Sequence, residues 1–302
     1  MISSLTSNNQ QFVDNLNRIA QQLNNDQLDI SSGVRIRQVS DDPDHISELL
    51  QARASFAASQ QISSNLTQVK TEVDTGEQTL ESAVQLFDQV QTLGAEGATG
   101  TQTASTRATI AGQLQGILQQ MVGFANTSIN GRFIFSGDSD QTAPYTYDST
   151  QPNPVSAYQG SASTRQIQDP SGGTFSVALT AQQVFDASDP STNVFSSIDG
   201  LITALNNNDQ AAIQTSVDGL SGVGKYLNDQ LAFYGTAQDN VSAATNTAQN
   251  QQTELQAQIS GIEDTDVTST ILDMTQTQTQ EQAALAAEGQ IPRNTLFDFL
   301  VG

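Results

Sequence analysis

Proline placement limits this chain more than any other feature. Five of its seven prolines (Pro144, Pro152, Pro154, Pro170, Pro190) fall within 47 residues, whereas 44–143 and 191–291 contain none. A proline inside a helix removes a hydrogen bond and costs about 3 kcal/mol. Long helices therefore belong in the two proline-free stretches, and the middle must fold differently.

The N-terminal stretch carries a narrow apolar seam. Leu5, Phe12 and Ile19 recur every seven residues, and Leu16, Leu23 and Ile30 form a second row, with Asn9 and Asp26 as polar interruptions. This is a coiled-coil-like period, which one helix cannot bury alone. Ser31-Ser32-Gly33 ends that helix, and a short extended piece, Val34 to Val39, leads to Ser40-Asp41-Asp42-Pro43. Asp42 reads as the N-cap of a second helix and Pro43 as its first residue.

Leu66, Val73, Leu80 and Phe87 mark one row of the second helix and Val69, Ala83 and Val90 the other, with Gly76 as a gap. Unbroken from about 44 to 93, it would be roughly 75 Å long at about 1.5 Å per residue. Gly94, Gly97 and Gly100 make a turn into a third helix, predicted from Ile110, Leu114, Ile117, Met121 and Ile129. The short connection makes the pair antiparallel.

Residues 133–195 change character. Three of the five tyrosines (Tyr145, Tyr147, Tyr158) lie here, and Thr174 to Leu179 alternates with period two, so the segment reads as a small β-rich insertion. Helical patterning returns at Ile198, Leu201, Ile202 and Leu205, continues through Leu227, Leu231, Leu255, Ile259 and Ile262, and slips phase at Glu263 to Asp266. It resumes at Val267, Ile271, Met274 and Leu285, and the apolar tail Leu296-Phe297-Asp298-Phe299-Leu300 follows Pro292. The expected fold is mainly α with a small β-rich insertion: a long antiparallel helical bundle with amphipathic helices at both ends.

Charge and composition exclude several classes. The formal net charge is −22, with only two lysines and eight arginines, so no basic stripe is available for phosphates or anionic membrane. Cysteine is absent, which removes disulfides, thiolate metal sites and cysteine nucleophiles. Charged residues make up 14% against a usual value of about 25%, and Gln, Asn, Ser and Thr fill the difference. Acids are expected to be sparse on the two terminal seams. Neither a secretory signal nor an apolar run long enough to span a bilayer is evident.

Site chemistry is thin. Asp41, Asp42, Asp44, His45 and Glu48 are the one cluster with metal-ligand groups; acids at a helix N-terminus stabilise the helix dipole, and that capping role is preferred over a metal. A serine nucleophile would depend on the single histidine, and no Gly-x-Ser-x-Gly elbow occurs. The loop Gly94 to Gly100 lacks a lysine, and Glu96 would repel a phosphate. The expectation is a non-enzyme with no catalytic, cofactor or metal residues, whose functional positions are the seam residues Leu5, Phe12, Leu16, Ile19, Leu23, Ile30, Val267, Ile271, Met274, Leu285, Leu296, Phe297, Phe299 and Leu300.

Three motifs carry a family resemblance. LDISSGVRIRQVSDDP at 28–43 resembles the segment after the first helix of bacterial flagellins, ANTSINGRFIFSG at 125–137 is similar to the end of their helical arm, and GIEDTDV at 261–267 resembles their C-terminal signature. Within that superfamily the LFDFL tail, GRFIFSG at 131–137, Ala143-Pro144-Tyr145, Tyr158-Gln159-Gly160 and Val184-Phe185 look like the hook-filament junction branch, the third hook-associated proteins. Filament flagellin is the alternative.

The resemblance implies a structural subunit of the flagellum, extracellular and exported through the flagellar type III channel without a cleaved signal. Its implied partners are further copies in a helical ring, the first hook-associated protein, flagellin and an export chaperone. It also implies three parts: 1–43 with 263–302 as a terminal coiled-coil assembly domain, 44–132 with 196–262 as a helical rod, and 133–195 as an outward β-rich domain.

Overall fold

The computed structural model describes residues 2–170 and 172–289, with side chains from Gln10 onward. Leu296, Phe297, Phe299 and Leu300, and the side chain of Leu5, lie outside the described residues. Seven helices are described: α1 (Ile2–Ser32), α2 (Ile46–Gly97), α3 (Ala104–Ala125), α4 (Ala181–Phe185), α5 (Val194–Asn206), α6 (Gln210–Glu263) and α7 (Val267–Gly289). Four short strands accompany them: β1 (Ser128–Ile129), β2 (Arg132–Phe133), β3 (Gln166–Gln168) and β4 (Thr174–Ser176). The fold is mainly α with a small β-rich insertion.

The chain divides into two compact units, 1–58 with 252–302, and 59–251. The cuts fall inside α2 and α6, and 133–195 belongs to the same unit as the helices around it. The reason is the core: Phe135, Tyr145, Val177, Val184 and Phe185 are buried in one cluster with Leu80, Leu114, Leu118, Ile198 and Leu227. Prolines keep this segment out of long helices, but its aromatic side chains fill the helical core.

In the first unit, α1 ends where Gly33 takes the left-handed region at φ 72°, its N–H donating to Asp29 O at 2.8 Å. This is the backbone state for which glycine is the usual helix terminator. A small core of Ile36, Leu49, Ala52 and Ile259, flanked by Ile46, Phe56 and Ile262, gathers the next segment.

In the second unit, α2 runs through Gly94 and ends at Gly97. The glycines there allow close packing: a Cβ on Gly94 would meet Leu201, Val217 and Leu220 at 3.1–3.3 Å, and one on Gly97 would stand 2.6 Å from Leu205 Cδ2. The third helix stops at Ala125 rather than reaching Ile129: Asn126 leaves the helical conformation at φ −97° and ψ 20°, and its side chain pairs with the Tyr145 backbone, donating to Tyr145 O at 2.7 Å and accepting from the Tyr145 N–H at 3.0 Å. Ile129 instead pairs with Arg132 across an antiparallel hairpin. Its turn residues Asn130 (φ 53°) and Gly131 (φ 79°) both have positive φ, the Asn-Gly preference of a tight hairpin turn.

The alternating Thr174–Leu179 pattern is strand only over Thr174–Ser176, paired antiparallel with Gln166–Gln168. Val177 beyond it is buried in the core. Much of the insertion is held by single bonds instead of ladders: Phe135 O accepts from the Ala181 N–H at 2.8 Å and from the Tyr158 hydroxyl at 3.1 Å.

Candidate assembly surface

The two motifs that flank the terminal helices meet in space. Val34 forms an antiparallel bridge with Asp264, the Arg35 N–H donates to Glu263 O at 2.7 Å, and the Thr265 N–H donates to Gly33 O at 3.0 Å. The Arg35 guanidinium spans further, donating to Ile262 O at 3.0 Å and to Asp42 Oδ2 at 2.9 Å. Arg53 pairs with Glu263 at 2.6 Å, and Arg37 with Asp29 at 2.9 Å. The phase slip at 263–266 is therefore a real break, where α6 ends, and Asp266 caps α7 by accepting from the Thr268 and Ser269 N–H groups at 3.0 and 3.2 Å.

The acidic group at 41–48 is tied up locally. Asp41 Oδ2 accepts from the Arg37 and Gln38 N–H groups, both at 3.0 Å. Asp42 Oδ1 accepts from the His45 N–H at 3.2 Å, the geometry of an N-cap, although the regular helix begins three residues past Pro43, at Ile46. His45 Nδ1 lies 3.0 Å from both Asp42 oxygens. These bonds to His45 and Arg35 pull the Asp42 carboxyl down to about 2, and the same carboxylate pushes the His45 imidazole up. Among the described residues no group of three or more His, Cys, Asp or Glu is placed to hold a metal ion.

From this joint α1 and α7 pack side by side. Along α1 the half-buried side chains Phe12, Leu16, Ile19, Leu23, Asp26 and Ile30 alternate four and three residues apart as in a heptad seam, with Asp29 half-buried beside them. The matching face of α7 is Thr270, Met274, Thr277, Glu281, Ala284 and Glu288, with the same spacing but only one large apolar side chain. Val267, Ile271 and Leu285 are 42%, 45% and 53% exposed, and Leu272 is 67% exposed.

The single α7 seam read from the sequence therefore splits in two. Met274 lies on the α1-facing row, while Ile271 and Leu285 share a separate row, seven-residue spaced with Gln278 between them. The physical reason is size. Thr277 and Ala284 let α7 approach the bulky Leu, Ile and Phe side chains of α1, and small-against-large packing fills such an interface better than two bulky rows. The apolar face of α7 is left free, and the α1 seam is only half covered.

Acids are not sparse here. Asp26, Asp29, Glu281 and Glu288 all occupy half-buried positions, and Arg18 is the one basic residue in α1 and α7. Burial pushes the Asp26 and Asp29 carboxyls up; Asp273 adds to this at Asp26, while Arg37 opposes it at Asp29.

The second unit shows no comparable open face in its aromatic set. Phe135, Tyr145, Phe185 and Phe195 are buried and pack on one another at centroid distances of 5.1–6.3 Å. Burial pushes the Tyr145 and Tyr234 phenols far up, and Tyr158 up to about 12. These are core phenols, not activated ones.

One structural residue escaped the sequence reading. Arg107, 4% exposed, donates to Gly97 O at 3.1 Å, to Thr99 O at 3.3 Å, to Asn208 Oδ1 at 2.7 Å and to Gln210 Oε1. It joins the loop after α2 to the loop before α6. The available signal was its position three residues before Ile110 on the buried row of α3, as the only charge in that helix.

Comparison with known proteins places these features in a family. The profile of the bacterial flagellin N-terminal helical region matches residues 2–140, and that of the bacterial flagellin C-terminal helical region matches 217–300. The flagellar hook-associated protein 3 of Escherichia coli (strain K12) is 24% identical over 290 residues, covering 89% of this chain and 90% of that protein. The protein of the same name from Salmonella typhimurium is 27% identical over 280 residues, covering 85% of each. The solved structure of a flagellar hook-associated protein from Vibrio parahaemolyticus superposes with a TM-score of 0.65 at 21% identity, covering 74% of this chain and all of that one. With both terminal helical regions matched and joined through Arg35 and Glu263, the chain belongs to the bacterial flagellin family.

Proposed function

We propose that this chain is a structural subunit at the junction between the flagellar hook and filament, working by helical self-assembly. The observation that carries this reading is the unsatisfied apolar surface of the terminal helices: α1 is half covered, and Val267, Ile271 and Leu285 of α7 face away from it. Burying apolar area contributes about 25 cal/mol per Å², so such rows favour neighbouring helices in an array.

The division of labour follows from the same pattern. Residues 1–43 and 263–302 serve as the assembly domain, 44–132 with 196–262 as a surrounding helical bundle, and 133–195 as the outward part. Leu5, Leu296, Phe297, Phe299 and Leu300 extend the seams toward both chain ends. Partners on this reading are further copies, the first hook-associated protein on one side and flagellin on the other, with an export chaperone covering the C-terminal apolar positions. Support comes from the LFDFL tail and from relatives that share the name of hook-associated protein 3. The lack of cysteine suits delivery as an unfolded chain through the flagellar export channel.

A junction must hold its copies together while accommodating two different neighbours. Apolar rows supply cohesion, and the acids among them keep the seams from locking rigidly. Immunogold labelling tests the placement: a single band at the base of each filament is expected, whereas label along the whole filament would make the chain a filament subunit.

A further inference from the structure

We propose that Asn130 is a site of spontaneous deamidation governed by the fold. The closed β1–β2 hairpin keeps it intact, an open hairpin admits the reaction, and the isoaspartate product no longer re-forms the turn.

Asn130-Gly131 is the only Asn-Gly pair in the chain, and no other asparagine is followed by glycine or serine. Deamidation needs a bond between the backbone nitrogen of the next residue and the asparagine Cγ. A Cβ on that next residue crowds the approach, and glycine has none. The Gly131 nitrogen attacks Asn130 Cγ, its proton and the side-chain amide group leave together as ammonia, and a five-membered imide remains. Water then opens the ring at one of its two carbonyls. Cleavage of the new bond to Cγ leaves aspartate. Cleavage of the original peptide bond leaves isoaspartate, with the backbone routed through Cβ and Cγ.

The hairpin opposes the first step. Asn130 is exposed, so conformation sets the rate and solvent access does not. The φ values of 53° and 79° are those of a type I′ turn, whose first central residue has ψ near about 30°. At that angle the next nitrogen lies across the Cα–C bond from Cβ, away from Cγ. Ring closure requires this bond to rotate through most of a half-turn, which breaks the pairing of Ile129 with Arg132 and of Ser128 with Phe133.

Little else holds the hairpin shut. The Phe133 N–H donates to Asp140 O at 2.8 Å and the Ile134 N–H to Thr127 O at 3.1 Å. Arg132 pairs with Asp140 at 2.6 Å, an exposed ion pair of small worth. Local opening is therefore the step that admits the reaction. Isoaspartate adds one atom to the backbone of a two-residue loop, and loop length fixes the register of a hairpin, so return to the same pairing is blocked. Phe133 and Ile134 line a cavity of about 150 Å³ with Glu72 and Arg165, and Phe135 enters the core. A chain that waits with this hairpin open is thereby converted into one whose insertion no longer seats against α2.

The full-length chain is incubated at mildly alkaline pH, in native buffer and in urea above its unfolding transition, and the peptide carrying Asn130 is followed by mass spectrometry. Deamidation adds one mass unit, which separates it from isomerisation at Asp199-Gly200 or Asp218-Gly219, within α5 and α6. In urea Asn130 should be the first asparagine to react. In native buffer it should react at least about tenfold more slowly, the ratio reporting how seldom the hairpin opens. The refolded isoaspartate chain should lose hydrogen-exchange protection at the Phe133 and Ile134 amides, while Asn130→Asp, with the same charge on an ordinary backbone, keeps it. Equal rates in the two media, another asparagine reacting first in urea, or equal protection in the two carboxylate forms would overturn the proposal.

Discussion

A Cβ placed on Gly76 would stand 3.0 Å from both Cδ1 and Cζ of Tyr234, and nearer still to Cε1. The gap in the apolar row of α2 is thus occupied by the tyrosine of another helix, whose hydroxyl accepts from the Leu179 N–H at 3.3 Å. The ring is held between α2 and the insertion and has little room to move, being 2% exposed. Gly76→Ala should destabilise the chain by about 1–3 kcal/mol, the usual cost of overpacking. Gly116→Ala, at a helical glycine with open space around it, should instead stabilise by up to about 1 kcal/mol. Urea unfolding followed by tyrosine fluorescence distinguishes the two.

Arg107→Met should cost about 2–4 kcal/mol, because it strands Gly97 O, Thr99 O and the Asn208 and Gln210 side-chain oxygens at once. Arg107→Lys should recover only part of this, since an ammonium cannot reach acceptors in a planar fork. Thermal unfolding of the three proteins ranks them: parent, Lys, Met.

His45 is the only histidine, so its imidazole proton resonance can be followed without assignment. It should titrate above the ordinary value of about 6.5 because the Asp42 carboxylate lies against Nδ1. Asp42→Asn should bring the midpoint back down. The contact stabilises the charged imidazole, so its contribution is present below the unfolded value and disappears as pH rises through the raised one. Asp42 behaves oppositely: its contribution is present above its unfolded value and is lost as pH falls toward about 2.

Replacing Leu16 and Leu23 with Ser should abolish self-association of the purified chain while leaving the core of 59–251 folded, as both side chains lie on the α1 seam outside that unit. Deleting 296–300 should likewise prevent incorporation into flagella. Sedimentation of each variant alongside its circular dichroism separates lost assembly from lost fold.

Much of this fold was legible in residue order. Proline position located the long helices and Ser32-Gly33 the end of α1, because each acts through local backbone geometry. Face and register were harder. Ile271 and Met274 are equally apolar, and periodicity alone does not show that Thr277 and Ala284 form the inner row; that is set by the bulk of α1. Ile129 continues the α3 spacing, yet Asn126 ends the helix first. Arg107 reads as a surface charge until Asn208 and Gln210, about 100 residues away, are brought to it. The division at 58 and 251 likewise depends on long-range packing inside continuous helices, which leaves no mark in local composition.

The junction reading is tested most directly by deleting the gene and imaging the flagella of the resulting cells. Complete hooks without filaments, together with unassembled flagellin in the medium and recovery when the intact chain is restored, are predicted. Filaments of ordinary length on those hooks would contradict the account.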